Sequence, residues 1–203
     1  MMLLRSGAPI ILAAALAGAV PSAAQDAQKD LTEGVSEATP AAELFMRAYE
    51  VFSHPRCSNC HPRDDRPRWG PARQVHGMNV QRGEERGDPH KGGYGRVGMN
   101  CATCHRDTNG KLLNSPPGAE HWRLAPPEMG WAGMTAAELC MQLKSLKSPD
   151  DPIEHIVNPE KRDPLVAWAW KPGPGRERAP GTLDQFVNVL RWWNDGGAGC
   201  PSM

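Results

Sequence analysis

The sequence predicts a mainly α-helical fold with long irregular loops, arranged as a single domain. Apolar residues recur at helical spacing in residues 40–54 and again in the last third of the chain. Between these segments, residues 61–129 are rich in Pro, Gly, Arg and Asp and show no sustained period. With 20 Pro, 21 Gly and only 39% hydrophobic residues, the chain has a thin apolar core, and something besides that core must help to hold it together.

Capping signals predict where the helices begin and end. Thr39 caps the first helix, which ends before Pro55. A capping box beginning at Thr135 predicts the start of a second helix. Asp151 is predicted to cap a further, short helix in the same way. A further capping box, beginning at Thr182, opens the last long helix. We predict no strand pairs.

Residues 1–24 have the organisation of a secretory signal peptide. A positive charge precedes an apolar run at residues 10–20, and small residues precede Gln25. The run is shorter than the ~18 residues usually needed to span a bilayer, and an uncleaved anchor is the alternative. We therefore expect an exported, periplasmic chain without a membrane span after cleavage, a flexible leader at residues 25–40 and one functional domain at residues 41–203.

The charge balance narrows the classes of partner. The chain carries 23 basic and 23 acidic residues, so its formal net charge is zero. Proteins that bind nucleic acid or anionic membranes usually carry a basic excess. We therefore expect no nucleic-acid partner.

Two short motifs carry the chemistry, Cys57-Ser58-Asn59-Cys60-His61 and Cys101-Ala102-Thr103-Cys104-His105. Two cysteines at this spacing can chelate zinc, exchange a disulfide or carry a covalent cofactor. The chain holds only 7 His, so a His after both pairs by chance has odds of roughly one in a thousand. C-x-x-C-H is the attachment signature of haem c, and two covalent haems are the favoured interpretation over zinc or a disulfide.

The motif spacing suits haem attachment. Residues i, i+3 and i+4 of a helical turn share one face. Cys57 and Cys60 can then form thioethers with one porphyrin, while His61 binds its iron as the proximal ligand. The same roles at the second haem fall to Cys101, Cys104 and His105.

The ligand on the far side of each iron decides whether the iron is closed for electron transfer or open to small molecules. His76 and His121 are the first candidates, followed by Met129 and His155. His90 is expected to be solvated.

Cys140 and Cys200 lie outside the motifs. Each falls in or just after a predicted C-terminal helix, and the exported chain meets oxidising conditions. We predict a disulfide between them, with two buried free thiols as the alternative.

An ordered series of segments resembles a known family. The segments are FSHPRCSNCHP, HGMNVQRG, MNCATCH, LAPPEMGW and DPLVAWAW, and they extend over most of residues 44–201. The chain resembles small exported bacterial dihaem c-type cytochromes, often labelled as a subunit of isoquinoline 1-oxidoreductase. The resemblance implies two attached haems and redox protein partners, among them a periplasmic molybdenum hydroxylase or another dehydrogenase.

Two functions follow as expectations. In the first, a single cytochrome c-like domain encloses both haems and carries single electrons between redox partners, without catalysis of its own. In the alternative, the protein is a peroxidase-like dihaem enzyme with one open, catalytic haem.

Overall fold

The computed structural model describes residues 29–83, 93–146 and 151–202. The expected signal peptide at residues 1–24, the first part of the expected leader and His90 lie outside the described residues.

Regular structure in the described ranges is mainly helical, in agreement with the sequence. The helices are α1 (Ala41–Ser53), α2 (Pro55–Ser58), α3 (Ala136–Ser145), α4 (Glu154–Val157), α5 (Pro164–Trp168) and α6 (Leu183–Asp195), with 3₁₀ turns at Cys101–Thr103 and Pro127–Met129. None of these helices is long and apolar enough to cross a membrane.

Two short strand pairs, which the sequence does not predict, interrupt the long loops. Strand β1 (Arg68–Trp69) pairs antiparallel with β2 (Gln74–Val75), and β3 (Gly95–Arg96) pairs antiparallel with β4 (Met99–Asn100). Each strand has only two residues, too few to carry an apolar period that a sequence pattern could reveal.

The core forms where α1 packs against α6. Phe45 of α1 lies 5.2 Å from Trp193 between ring centroids, and Phe52 lies 5.2 Å from Phe186. Trp131 meets Phe52 edge to face at 5.4 Å. The aromatic contacts of this core therefore extend from the two long helices to the loop that carries Trp131.

The predicted capping boxes are confirmed at Thr135 and Thr182, where each threonine and the residue three positions later bond reciprocally. The Asp151 carboxylate accepts from the backbone N–H of Ile153 at 2.8 Å and from that of Glu154 at 3.4 Å, but the residue directly before α4 is Ile153, whose side chain forms no cap. The predicted cap at Thr39 is wrong. Its hydroxyl instead accepts from the Ser36 N–H at 2.9 Å, within the turn that precedes α1.

Part of the expected leader lies against the helices through Leu31, although most of residues 29–40 are exposed. Leu31 is fully buried in the core beneath Gly181. The Asp30 carboxylate accepts from the Gln185 amide at 2.7 Å, and Lys29 pairs with Glu50 at 2.6 Å. A lone leucine in a polar run creates no periodic pattern, so its burial depends on a distant partner that the local sequence does not reveal.

Cys140 and Cys200 form the disulfide that the sequence predicts, with Cα atoms 5.7 Å apart. The bond joins α3 to the segment that follows α6. It closes a large loop, which favours the folded state by restricting the unfolded chain.

We expect Leu31→Ala to lower the free energy of unfolding by about 2–5 kcal/mol, because it removes a fully buried side chain from the core. Urea unfolding of the purified protein, followed by circular dichroism, measures this change. Leu112→Ala is the matched control, since Leu112 is 77% exposed. The control should shift the free energy of unfolding by less than about 0.5 kcal/mol, and equal losses in both variants would contradict the burial of Leu31.

Candidate functional site

The first motif, Cys57–His61, begins in helix α2. His54 caps this helix, because its Nδ1 accepts a hydrogen bond from the Arg56 N–H at 3.2 Å. The Cys60 N–H donates to the Cys57 carbonyl at 3.1 Å. The chain thus turns helically through this motif, as the spacing of its ligands predicts.

The second motif, Cys101–His105, begins in a 3₁₀ turn. The Asn100 side chain caps the turn by accepting from the Ala102 N–H at 2.9 Å. The His105 N–H reaches back to the Cys101 carbonyl at 2.9 Å. Each motif therefore begins on a helical turn with a side-chain cap, and in the second motif the turn extends to the histidine.

Both motif histidines are oriented in the same way. His61 Nδ1 lies 2.8 Å from the Met129 carbonyl oxygen, and His105 Nδ1 lies 2.7 Å from the Pro117 carbonyl oxygen. A carbonyl can only accept, so each Nδ1 carries the proton. Each Nε2 then keeps its lone pair, and this is the arrangement found where a histidine binds a metal through Nε2.

Each motif histidine also stacks on a tryptophan. The His61 and Trp131 rings lie 3.5 Å apart at 14°, and the Trp131 indole N–H donates to the Phe52 carbonyl at 3.0 Å. The His105 and Trp122 rings lie 4.5 Å apart at 2°. The hydrogen bond at Nδ1 and the stacked indole together hold each imidazole in one orientation.

A cavity of about 810 Å³ lies beside the first motif, within the size range of small-molecule and cofactor sites. The motif contributes Cys57, Cys60 and His61 to its lining, and two candidate iron ligands, Met129 and His155, line it as well. Four charged or aromatic side chains also line the cavity, those of Arg56, Arg123, Asp163 and Trp168.

Burial determines the protonation of the groups in this cavity. It raises the pKa of the Cys57 thiol to about 12 and that of Cys60 to about 11, and it lowers the pKa of His61 to about 3. At neutral pH all three groups are therefore uncharged. A cysteine pair that exchanges disulfides works through a thiolate of lowered pKa, which this environment opposes.

Two guanidinium groups line the same cavity. Arg56 donates through Nε to the Glu177 carbonyl at 2.6 Å, and Arg123 pairs with the Asp163 carboxylate. Arginine binds carboxylates through paired, charge-assisted hydrogen bonds. These two side chains could bind acidic groups of a ligand in the cavity, although Arg123 is already paired with Asp163.

The two motifs are linked by a short stretch of backbone. The Ala125 N–H donates to the Cys60 carbonyl at 3.0 Å, and the adjacent Leu124 N–H donates to the Gly93 carbonyl at 3.0 Å. The Cys101 sulfur lies 3.5 Å from the same Gly93 oxygen. Leu124 and Ala125 thus connect the first motif, through Cys60, to Gly93, which contacts Cys101 of the second motif.

The candidate distal ligands lie at different places. His76 lies next to the second motif, where its ring centroid is 6.2 Å from that of His105. His155 lines the cavity of the first motif, as does Met129, whose carbonyl is bonded to His61. His121 is exposed and in the left-handed region with φ 59°, and its neighbour Trp122, rather than His121 itself, stacks on His105.

The sequence does not predict the roles of the Met129 and Pro117 carbonyls as imidazole acceptors, because any residue type can supply a backbone oxygen. The only available signal is that each acceptor lies in or just after a Pro-Pro pair, at residues 116–117 and 126–127. Prolines fix the backbone torsion φ, so such a pair presents nearby carbonyls in a defined direction.

Within residues 29–83, 93–146 and 151–202, no group of three or more His, Cys, Asp and Glu is placed to hold a metal ion. A haem iron needs at most two protein donors, because the porphyrin nitrogens supply the others, so a haem site does not require such a group.

No family model, curated protein or solved structure matches the chain in comparisons with known proteins.

We expect Gly93→Ala to destabilise the link between the motifs. Gly93 has φ +128°, and a Cβ there would lie 2.5 Å from the Leu124 carbonyl oxygen. Gly98→Ala is the matched control, because Gly98 has φ +84° and nothing within 4 Å of its Cβ position. Backbone strain at positive φ should lower the free energy of unfolding of both variants by about 1–3 kcal/mol. The clash should lower that of Gly93→Ala by at least about 1 kcal/mol more, as measured by urea unfolding. Equal losses would contradict this link.

Proposed function

We propose that this chain is an exported, periplasmic dihaem c-type cytochrome that carries single electrons between redox partners. The observation that carries the proposal is the repeated geometry of the two C-x-x-C-H motifs. In each, the histidine donates from Nδ1 to a carbonyl and stacks on a tryptophan, so that Nε2 remains free for iron.

The residues of the first motif fit a haem. Cys57 and Cys60 would form the thioethers, and His61 would bind iron through Nε2. The cavity beside them is of suitable size, and Arg56 and Arg123 at its wall would bind the haem carboxylates. The second motif supplies the equivalent donors through Cys101, Cys104 and His105. A bound haem c supplies a one-electron redox centre at each motif.

His155 is the distal ligand that best suits the first iron. It lines the same cavity as His61 and belongs to the short helix α4. Met129 lines the cavity too, but its carbonyl accepts from His61 Nδ1, the ring nitrogen that would not bind the iron. Its backbone is therefore assigned to the proximal side, where it orients His61.

The two sites differ in their access to solvent, and this difference suggests where a partner exchanges electrons. The first motif faces the core through Trp131, which is 4% exposed. Cys104 of the second motif is exposed, and exposed apolar residues flank the motif in the chain. These are Val97, Leu112 and Leu113. Redox partners dock through small, transient surfaces, so the second motif is the proposed place of exchange.

Electron exchange between the two sites is favoured by their close packing. Besides the backbone link through Leu124 and Ala125, the Trp122 ring that stacks on His105 meets Trp168 edge to face at 4.9 Å. Trp168 lines the cavity of the first motif. The proposed partners are redox proteins of the periplasm, with a molybdenum hydroxylase or another dehydrogenase as the donor or acceptor.

One observation supports the alternative function, a peroxidase-like dihaem enzyme. His155 is a polar group in the cavity that holds His61, and a distal histidine that does not bind iron can act there as a general acid or base. The two functions differ in whether the first iron is closed by His155 or open.

We expect the mature protein to have the mass of its chain plus two haems. Cys57→Ser with Cys60→Ser should remove one haem, and Cys101→Ser with Cys104→Ser should remove the other. Cys140→Ser with Cys200→Ser is the matched control and should keep both, because this pair forms the structural disulfide. Mass spectrometry and a haem stain of the periplasmic fraction measure the result. A wild-type protein without haem would overturn the proposed function.

We expect the reduced wild-type protein to bind less than one equivalent of carbon monoxide per chain, because both irons have two axial protein ligands in an electron carrier. Absorption spectra recorded with and without carbon monoxide measure this. Binding of one equivalent, together with turnover of peroxide, would instead favour the enzyme.

A further inference from the structure

The loop that follows strand β2 places a histidine ring opposite the second motif. The ring centroids of His76 and His105 are 6.2 Å apart, and the planes meet at 62°. The two residues belong to different loops of the irregular region, so this approach comes from the fold and not from sequence spacing.

Both rings have the same tautomer. His76 Nδ1 lies 3.0 Å from the Gly77 carbonyl, and His105 Nδ1 lies 2.7 Å from the Pro117 carbonyl. Since a carbonyl only accepts, both Nδ1 atoms are protonated. Both Nε2 atoms are therefore available to a metal ion.

The separation of the rings matches the one that a single metal ion imposes. An imidazole nitrogen binds a metal ion at about 2.0 Å, and the ring centre lies about 1.1 Å behind that nitrogen, so two imidazoles on opposite sides of one ion have centroids about 6.2 Å apart. An angle between the planes is compatible with this, because each ring can rotate about its own metal–nitrogen axis.

We propose that His76 is the distal ligand of the second iron and forms a bis-histidine site with His105. This inference rests on the proposed function, since it requires a haem at the second motif. His121, the other first candidate from the sequence, is exposed. Met78, the nearest thioether to His76 in the chain, is 71% exposed. The bis-histidine site closes the second iron to small ligands and gives it a lower reduction potential than a histidine–methionine pair.

The test uses His76→Ala in the complete mature protein, after mass spectrometry has shown two attached haems. The second iron should become open, so the reduced variant should bind one more equivalent of carbon monoxide per chain than the wild type. Added imidazole should return the spectrum to the low-spin form by filling the vacant position. His121→Ala is the matched control and should leave both the stoichiometry and the spectrum unchanged.

Each outcome decides the question. An unchanged carbon monoxide stoichiometry in His76→Ala with two haems attached would overturn the assignment and leave the proposed function intact. A wild-type chain without haem on Cys101 and Cys104 would overturn both. If His76→Ala does not accumulate, His76→Met is the second variant, because it keeps a donor on the loop. In its near-infrared magnetic circular dichroism spectrum, an imidazole–thioether band should replace one bis-imidazole band. An unchanged band pattern in that variant would also overturn the assignment.

Discussion

The hydrogen bond from each motif histidine to a distant carbonyl is the interaction on which the arrangement of the sites depends. It connects His61 to Met129 and His105 to Pro117, and so ties each cysteine pair to a proline-rich loop. The same bond selects the Nδ1 tautomer, which leaves Nε2 as the only metal donor of the ring. In each site, one backbone oxygen thus holds the loop next to the motif, orients the imidazole and determines which ring nitrogen can bind a metal.

Between the motifs, close backbone contacts take the place of a hydrophobic core. A Cβ on Gly83 would lie 1.8 Å from the Gly95 carbonyl oxygen, so only glycine allows these two loops to touch. Arg82 is buried and bonds to both Asp65 and the Ala125 carbonyl. A region with so few apolar residues can hold its shape because polar groups satisfy one another across the loops. A covalent haem at each motif would add the apolar contact that this region lacks.

The features that can be predicted from the sequence are those that depend only on residues close together in the chain. The capping boxes at Thr135 and Thr182 and the two C-x-x-C-H motifs need only neighbouring residues, so they could be found without a structure. Features that depend on tertiary contact could not. Leu31 and Val35 are too few apolar residues to signal burial in a polar run, and no pattern brings His76 to His105 through an aperiodic region. The sequence offers His76 as one candidate donor among several, and the fold places His76, but not the exposed His121, beside the His105 ring.

If both motifs hold haems as proposed, the different surroundings of the two sites would give the haems different reduction potentials. With histidine as the distal ligand at both proposed irons, the axial ligands no longer distinguish them, and solvent exposure becomes the main difference. The first site lies against the core beside Trp131, whereas the second carries the exposed Cys104. Burial disfavours the more highly charged ferric state, so a haem at the first site would have the higher potential. An electron received from a partner at the second motif would then move downhill to the first, across the packed contact of Trp122 and Trp168.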